Sequence, residues 1–215
     1  MGKKKEIMLL ITYNCNLSCV YCYEPKTEHN KMTSDQAISY IMEVVNNLDE
    51  TYSEFEVQFM GGEPLLQYDL IKSVSTWLWE QTFKVKLSQI FIVTNGTLLN
   101  DDMKTWFSSH KGRICLGLSF DGNRLMQNMN RSESAPLVDL SYFVDNWPIQ
   151  HVKMTVSPDT ISNLYDGVIY LIEQGFTYIT TDLAMGDRIF WEDCHLKVFA
   201  DQLERLSAFY IANPE

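Results

Sequence analysis

Apolar residues recur along this chain with two different periods, and the two alternate from one end to the other. Six short runs keep strand character: EIMLLITY (6–13), FEVQFM (55–60), QIFIVT (89–94), ICLGLS (114–119), HVKMTV (151–156) and FTYITTDL (176–183). Between them the apolar positions fall three and four apart, the spacing of an amphipathic helix. Ile38, Ile41, Met42, Val45 and Leu48 form one such stripe, with Thr33 and Gln36 in front as a capping box. Leu70, Ile71, Val74, Trp77 and Leu78 form a second. Ile161, Leu164, Val168, Leu171 and Ile172 form a third, which Gly175 is expected to stop. Shorter stripes lie at Met103, Trp106 and Phe107 and at Leu140, Phe143, Val144 and Trp147, and a long one runs through Leu196, Phe199, Leu203, Leu206 and Tyr210.

Strands alternating with helices predict an α/β fold, a parallel sheet joined by right-handed crossovers. The faces of the strands narrow the choice. Phe55, Val57 and Phe59 alternate with Glu56 and Gln58, and Val152, Met154 and Val156 alternate with His151, Lys153 and Thr155. A parallel sheet covered by helices on both faces should read as nearly continuous apolar runs. Polar residues at every second position instead suggest one face turned to a wet cavity, with a plain half-exposed strand as the alternative. The expectation is a partial (β/α)6 TIM-like barrel with its helices outside, two units short of the complete eight-fold barrel. No internal repeat, low-complexity stretch or linker interrupts residues 1–215, which read as a single domain.

The unusual residues cluster just after the strands. The first strand is followed by CNLSCVYC, the second by Gly61-Gly62-Glu63-Pro64, the third by Thr94-Asn95-Gly96-Thr97 and the fourth by Ser119-Phe120-Asp121-Gly122. The fifth runs into Ser157-Pro158-Asp159 and the sixth into Ala184-Met185-Gly186-Asp187. Barrel and open α/β enzymes build their sites from such C-terminal loops. Asn95-Gly96 and Asp121-Gly122 are also hairpin signals, but neither leads into a second alternating strand. No glycine-rich phosphate motif is present. His29, His110, His151 and His195 are scattered, without metal-ligand spacing.

The formal charge of −11 disfavours nucleic acid as a partner, and Lys3-Lys4-Lys5 reads as a solvated N-terminal tail. No stretch is long and apolar enough for a membrane span or a secretory leader, so a cytoplasmic location is expected. There thiols stay reduced, and clustered cysteines more often bind metal than pair with one another.

Three of the five cysteines, Cys15, Cys19 and Cys22, fall within eight positions. Three ligands leave one position open on a metal, and an open position is where chemistry occurs. Taken alone, CxxxCxxC also fits a zinc or structural cluster site. Joined to Tyr21 before the third cysteine, GGEP at 61–64, TNGT at 94–97 and SFDG at 119–122, it resembles the radical SAM superfamily. The closest resemblance is to the core of SPASM-type peptide-modifying enzymes such as the anaerobic sulfatase maturases, and it covers essentially the whole chain.

That resemblance implies a 4Fe–4S cluster held by Cys15, Cys19 and Cys22, with S-adenosylmethionine on the fourth iron. An external one-electron reductant then drives cleavage of the sulfonium to methionine and a 5′-deoxyadenosyl radical, which abstracts a hydrogen from a peptide or protein substrate. It implies further that Gly61, Gly62 and Glu63 meet the methionyl ammonium and that Asn95 and Ser119 bond the ribose or carboxylate. Arg131 would pair with the carboxylate, and Tyr21 would pack beside the cluster or the adenine. Backbone at Ala184 to Gly186 would flank the adenine. Asp121, Asp182 and Asp187 lie near the expected mouth, where helix-capping aspartates would also lie. Cys115, four residues before Ser119, is expected about 13 Å deeper, with Gly117 leaving room beside it, and Cys194 reads as a buried or idle thiol, with a leftover ligand of a second cluster as the alternative. The auxiliary-cluster domain common in such enzymes is expected to be absent, with only Cys194 after residue 183, which makes the sequence either a core-domain fragment or a short member of the family. A glycyl-radical-enzyme activase and a non-catalytic iron–sulfur or zinc module are the competing readings.

Overall fold

The computed structural model describes residues 2–27 and 31–214; His29 falls outside them. Six strands, β1 (Lys3–Thr12), β2 (Tyr52–Gly61), β3 (Lys86–Thr94), β4 (Ile114–Ser119), β5 (Val152–Val156) and β6 (Ile179–Leu183), lie side by side in sequential order. The pairings β1–β2, β2–β3, β4–β5 and β5–β6 are parallel. Among the described residues seven α-helices accompany them: α1 (Ser34–Asn46), α2 (Tyr68–Glu80), α3 (Asp101–Ser109), α4 (Arg124–Asn130), α5 (Leu140–Asn146), α6 (Leu164–Glu173) and α7 (Asp193–Ala212). This is the α/β topology of a partial (β/α)6 barrel, as the alternation predicts.

By its contacts the chain divides into two units, Met1–Asn16 with Glu24–Gly117, and Leu17–Tyr23 with Leu118–Glu215. In the first, Ile7, Leu9 and Ile11 of β1, Phe55, Val57 and Phe59 of β2 and Ile90 and Ile92 of β3 are buried. The apolar faces of α1 (Ala37, Ile41, Val45) and α2 (Leu70, Ile71, Val74, Leu78) are buried with them. Each such side chain contributes about 1.5–3 kcal/mol relative to exposure. The expected capping box forms, with Gln36 N–H donating to Thr33 Oγ1 at 3.2 Å and Thr33 N–H donating to Gln36 Oε1 at 2.9 Å.

The opposite face of these strands is the polar one. Met8 and Leu10 are exposed, while Glu56 is buried and accepts from Lys4 Nζ at 3.1 Å and Gln58 Nε2 at 2.6 Å. Lys3-Lys4-Lys5 is therefore no solvated tail. Its residues open β1, in register with Tyr52, Glu54 and Phe55, because the Glu56 carboxylate draws Lys4 and the ladder takes the backbone. Gly117 does not leave room either, since a Cβ there would stand 2.6 Å from the Phe91 ring that already fills the space.

In the second unit Val152, Met154 and Val156 are buried, and Lys153 and Asp182 pair at 3.0 Å in solvent. Helix α6 ends in a Schellman motif: Gly175 (φ +99°) donates to Ile172 O at 2.9 Å and Phe176 N–H reaches Leu171 O at 3.1 Å. Its first turn is a 3-10 turn over Ile161–Asn163. Helix α4 is an element the apolar pattern does not predict. It is only 7 residues long and is started by Asn123, whose side chain accepts from Met126 N–H at 3.0 Å. Among the described residues no helix is long and apolar enough to cross a membrane.

Candidate functional site

In the first unit, three loops at the C-terminal ends of β1, β2 and β3 are laced together. Gly62 N–H donates to Thr12 O at 2.9 Å, and Glu63 N–H donates to Asn14 O at 2.8 Å. The two glycines are required by this approach. A Cβ on Gly61 would lie 2.5 Å from Thr12 O, and one on Gly62 would lie 2.3 Å from Asn14 O, both backbone atoms that cannot swing aside.

Glu63 is almost wholly buried, and its carboxylate binds the chain itself. Oε1 accepts from Leu65 N–H at 3.0 Å and from the Thr94 hydroxyl at 2.7 Å; Oε2 accepts from Asn95 N–H at 2.8 Å. The Asn95 side chain is similarly engaged. Its Oδ1 accepts from Thr97 N–H and Oγ1 at 3.0 and 2.7 Å, and its Nδ2 donates to Asn16 Oδ1 at 3.0 Å. Asn16 Nδ2 in turn donates to Thr97 Oγ1 at 2.8 Å. Both neighbours of Cys15 are thereby pinned, Asn14 by Glu63 and Asn16 by the loop after β3.

In the second unit the segment bearing Cys19 and Cys22 is fastened to residues after β4. The Tyr21 hydroxyl donates to Asp121 Oδ2 at 2.6 Å, Val20 N–H donates to Asn130 O at 2.9 Å, and Ser18 N–H donates to Ser132 Oγ at 2.8 Å. Asp121 is wholly buried and caps no helix, because that task falls to Asn123. Its Oδ1 accepts from Thr155 N–H at 2.9 Å and stands 3.0 Å from Arg131 Nε, an ion pair off the axis of a linear hydrogen bond. Asn130 Nδ2 adds a contact to Oδ2 at 3.2 Å.

Burial pushes the Tyr21 phenol well above its ordinary range, and the nearby Asp121 carboxylate pushes in the same direction. Burial works most strongly against the Arg131 charge, but the Asp121 carboxylate, Tyr21 and Cys19 together outweigh it and keep the guanidinium protonated. The guanidinium also lies over the Tyr21 ring, 5.5 Å from its centroid. Ser119 is half-buried at the end of β4, in register with Lys153.

The loop after β6 meets the same segment. Arg188 Nη2 donates to Cys22 O at 3.1 Å beside a cleft of about 320 Å³ lined by Tyr21, Cys22, Met185 and Gly186. Ala184 already has backbone partners, its N–H on Val156 O and its carbonyl on Trp191 Nε1, both at 2.8 Å. Asp187 lies exposed in this loop. In the first unit a cleft of about 670 Å³ opens among residues 78–89 at the start of β3, at the opposite end of that strand from Thr94 and Asn95.

All five cysteines are thiols rather than disulfides; Cys15, Cys19 and Cys22 are half-buried, Cys115 buried and Cys194 exposed. Burial, followed by the charge of Glu56, pushes the Cys115 thiol up to about 12. Among the described residues no three Cys, His, Asp or Glu side chains converge on a single metal ion. A cubane cluster does not ask for that, since each thiolate binds a different iron.

Asn16, Asn130, Ser132 and Arg188 are partners that sequence reasoning does not single out. Only Asn130 carried a signal, its place in NMNR after SFDG.

Two relatives and one solved structure place the chain. It is 30% identical over 125 residues to a serine-type anaerobic sulfatase-maturating enzyme of Klebsiella aerogenes, covering 55% of this chain and 30% of that one. It is 35% identical over 92 residues to a putative glycyl-radical enzyme activating enzyme of Methanocaldococcus jannaschii, covering 43% and 32%. Native anSMEcpe with bound AdoMet and Kp18Cys peptide superposes with a TM-score of 0.79 at 19% identity, over 99% of this chain and 62% of that one. The chain spans less than two thirds of the length of the relatives it matches first. With the family model of the Radical SAM superfamily matching residues 9–193, the chain belongs to that superfamily.

Proposed function

We propose that this protein binds a 4Fe–4S cluster through Cys15, Cys19 and Cys22, binds S-adenosylmethionine beside it, and uses the pair to modify a peptide or protein. The observation that carries the reading is the fastening of the cysteine run from both ends. Glu63 and Asn95 pin the neighbours of Cys15, and Asp121, Asn130 and Ser132 hold the segment of Cys19 and Cys22.

The donor set suits such a group. Three thiolates without a fourth are soft ligands that leave one iron open, and thiolate ligation favours iron–sulfur clusters. When bound, the cluster and its cofactor supply one-electron cleavage of the sulfonium to a 5′-deoxyadenosyl radical; an external reductant supplies the electron.

The chain's own part is binding and orientation. Backbone at Gly61 and Gly62 and the loop held by Glu63 would receive the methionyl ammonium. Asn95 of the first unit, and Ser119 and Arg131 of the second, would bond its ribose or carboxylate. Tyr21, whose hydroxyl is already engaged by Asp121, offers its ring rather than a proton.

A peptide or protein substrate is supported by what the relatives are named for: sulfatase maturation, and a structural neighbour carrying a bound peptide. The activating-enzyme relative favours a second reading, in which the hydrogen is taken from a glycine of a partner enzyme.

The test is anaerobic reconstitution with iron and sulfide, reduction, addition of S-adenosylmethionine and quantification of 5′-deoxyadenosine, beside a Cys15/Cys19/Cys22→Ala variant. Product from the parent alone supports the reading. A parent that holds about four irons yet yields none overturns it. Deuterated short peptides, set against a deuterated glycyl-radical enzyme, then separate the two substrate classes by where the label goes.

A further inference from the structure

We infer that Asp121 and Ser132 are positioning residues that hold the segment carrying Cys19 and Cys22 in a cluster-ready conformation. This rests on the function proposed above. The amides on either side of Cys19 are both committed, Ser18 N–H to Ser132 Oγ at 2.8 Å and Val20 N–H to Asn130 O at 2.9 Å. The orientation of Cys19 is thus set from two sides by residues more than a hundred positions away.

Ser132 reaches that place at a cost. It and Glu133 both adopt φ +55°, two successive non-glycine residues in the left-handed region. Such backbone is strained and persists only where its surroundings over-determine it. Here they do. Glu133 N–H donates to Asn128 O at 3.1 Å, Ser134 N–H donates to Arg131 O at 3.2 Å, and Ala135 N–H donates to Asn128 Oδ1 at 2.9 Å. The buried Ser134 hydroxyl is held in turn by Gln127 Nε2 at 2.9 Å, and Gln127 Oε1 takes Asp121 N–H at 2.7 Å. One connected network therefore sets the Ser132 hydroxyl and the Asp121 carboxylate together.

Asp121 completes the clamp. An ionised carboxylate offers about four acceptor sites; Tyr21, Asn130 and Thr155 each bring a donor to it, and Arg131 stands beside it as an ion pair. Arg131 neutralises its charge, while the Tyr21 hydroxyl at 2.6 Å fixes the residue immediately before Cys22. The carboxylate's partners are Tyr21, Asn130, Thr155 and Arg131, so it acts on the cysteine segment through Tyr21.

The test uses anaerobically reconstituted protein and four variants: Asp121→Asn, Tyr21→Phe, the Asp121→Asn/Tyr21→Phe pair, and Ser132→Gly. The readouts are the EPR spectrum of the reduced cluster with and without S-adenosylmethionine, the cofactor's affinity, and the melting temperature. Ser132→Gly relieves the left-handed strain while removing the hydroxyl. It is expected to melt no lower than the parent yet show a broadened spectrum and several-fold weaker cofactor binding. Asp121→Asn and Tyr21→Phe should each weaken that binding about tenfold, the loss of one charge-assisted hydrogen bond, and the pair should lose no more than either alone. Should Asp121→Asn fail to fold, Tyr21→Phe and Ser132→Gly still decide. Parental spectra and affinity in those two variants, beside a parent that carries its cluster, overturn this inference alone. A parent that takes up no cluster overturns the function reading and this inference with it.

Discussion

Glu63, in the turn after β2, reaches the end of β3 and takes the backbone N–H of Asn95 on one carboxylate oxygen, 2.8 Å away, and the Thr94 hydroxyl on the other, 2.7 Å away. The acidic residue of GGEP is thus first a brace between two loops. Replacing it with glutamine turns one acceptor into a donor that faces another donor. Glu63→Gln should destabilise the fold by about 2 kcal/mol, lowering the melting temperature by about 4–8 °C. A thermal melt unchanged within a degree would show that the brace is not needed.

The glycines before it make a sharper comparison. Gly62→Ala puts a methyl 2.3 Å from the Asn14 carbonyl oxygen, whereas Gly112→Ala meets nothing within 4 Å. The first should lose about 1–3 kcal/mol and, by moving the Cys15 loop, lower the iron content after reconstitution. The second should stay within about 0.5 kcal/mol of the parent. Denaturant melts and iron assays on both proteins decide it.

Cys115 supplies a pH signature. Its folded thiol is pushed up to about 12 against an ordinary value of 9.0. Being raised, it contributes stability that is complete below pH 9 and is lost as pH climbs from there through 12. Cys115→Ala should flatten that alkaline decline. In native protein at pH 8 iodoacetamide should modify exposed Cys194 first and leave Cys115 untouched until unfolding, which peptide mass mapping will report.

His151 acts on the acid side. Burial first, and Lys153 second, lower its folded pKa below 6.5. The unfolded chain then binds a proton more readily, so stability is lost as pH falls below 6.5. For a half-exposed ring the loss is below about 1 kcal/mol. His151→Gln should remove this part of the acid slope in denaturant melts between pH 7 and 5.

The features legible in the sequence came from residues that keep a period or a fixed spacing. The strands, the Thr33–Gln36 box and the Gly175 stop are local devices, and local devices are written locally. Strand starts were placed too late for β1, β2 and β3 because Lys3–Lys5, Tyr52–Glu54 and Lys86–Ser88 join by backbone pairing, which leaves no apolar trace. At the candidate site the spacing named the loops but not what their side chains do. Glu63 turns out to bond the loop after β3 and Asn95 the loop after β1, and Ser132 enters only through a left-handed turn built without glycine, which no local pattern announces.

The clamp on the cysteine segment also has a consequence for how the protein is made. Tyr21 and Asp121 lie 100 positions apart, and Ser18 and Ser132 lie 114 apart. At roughly 5–20 residues per second of synthesis, Cys19 and Cys22 emerge from the ribosome about ten seconds before the residues that will hold them exist. For that interval the thiols belong to an unanchored stretch of nascent chain, open to oxidation and to stray metals. On the function proposed above, metal loading would then be a late event in biogenesis, timed by the appearance of residue 132 rather than by that of the cysteines.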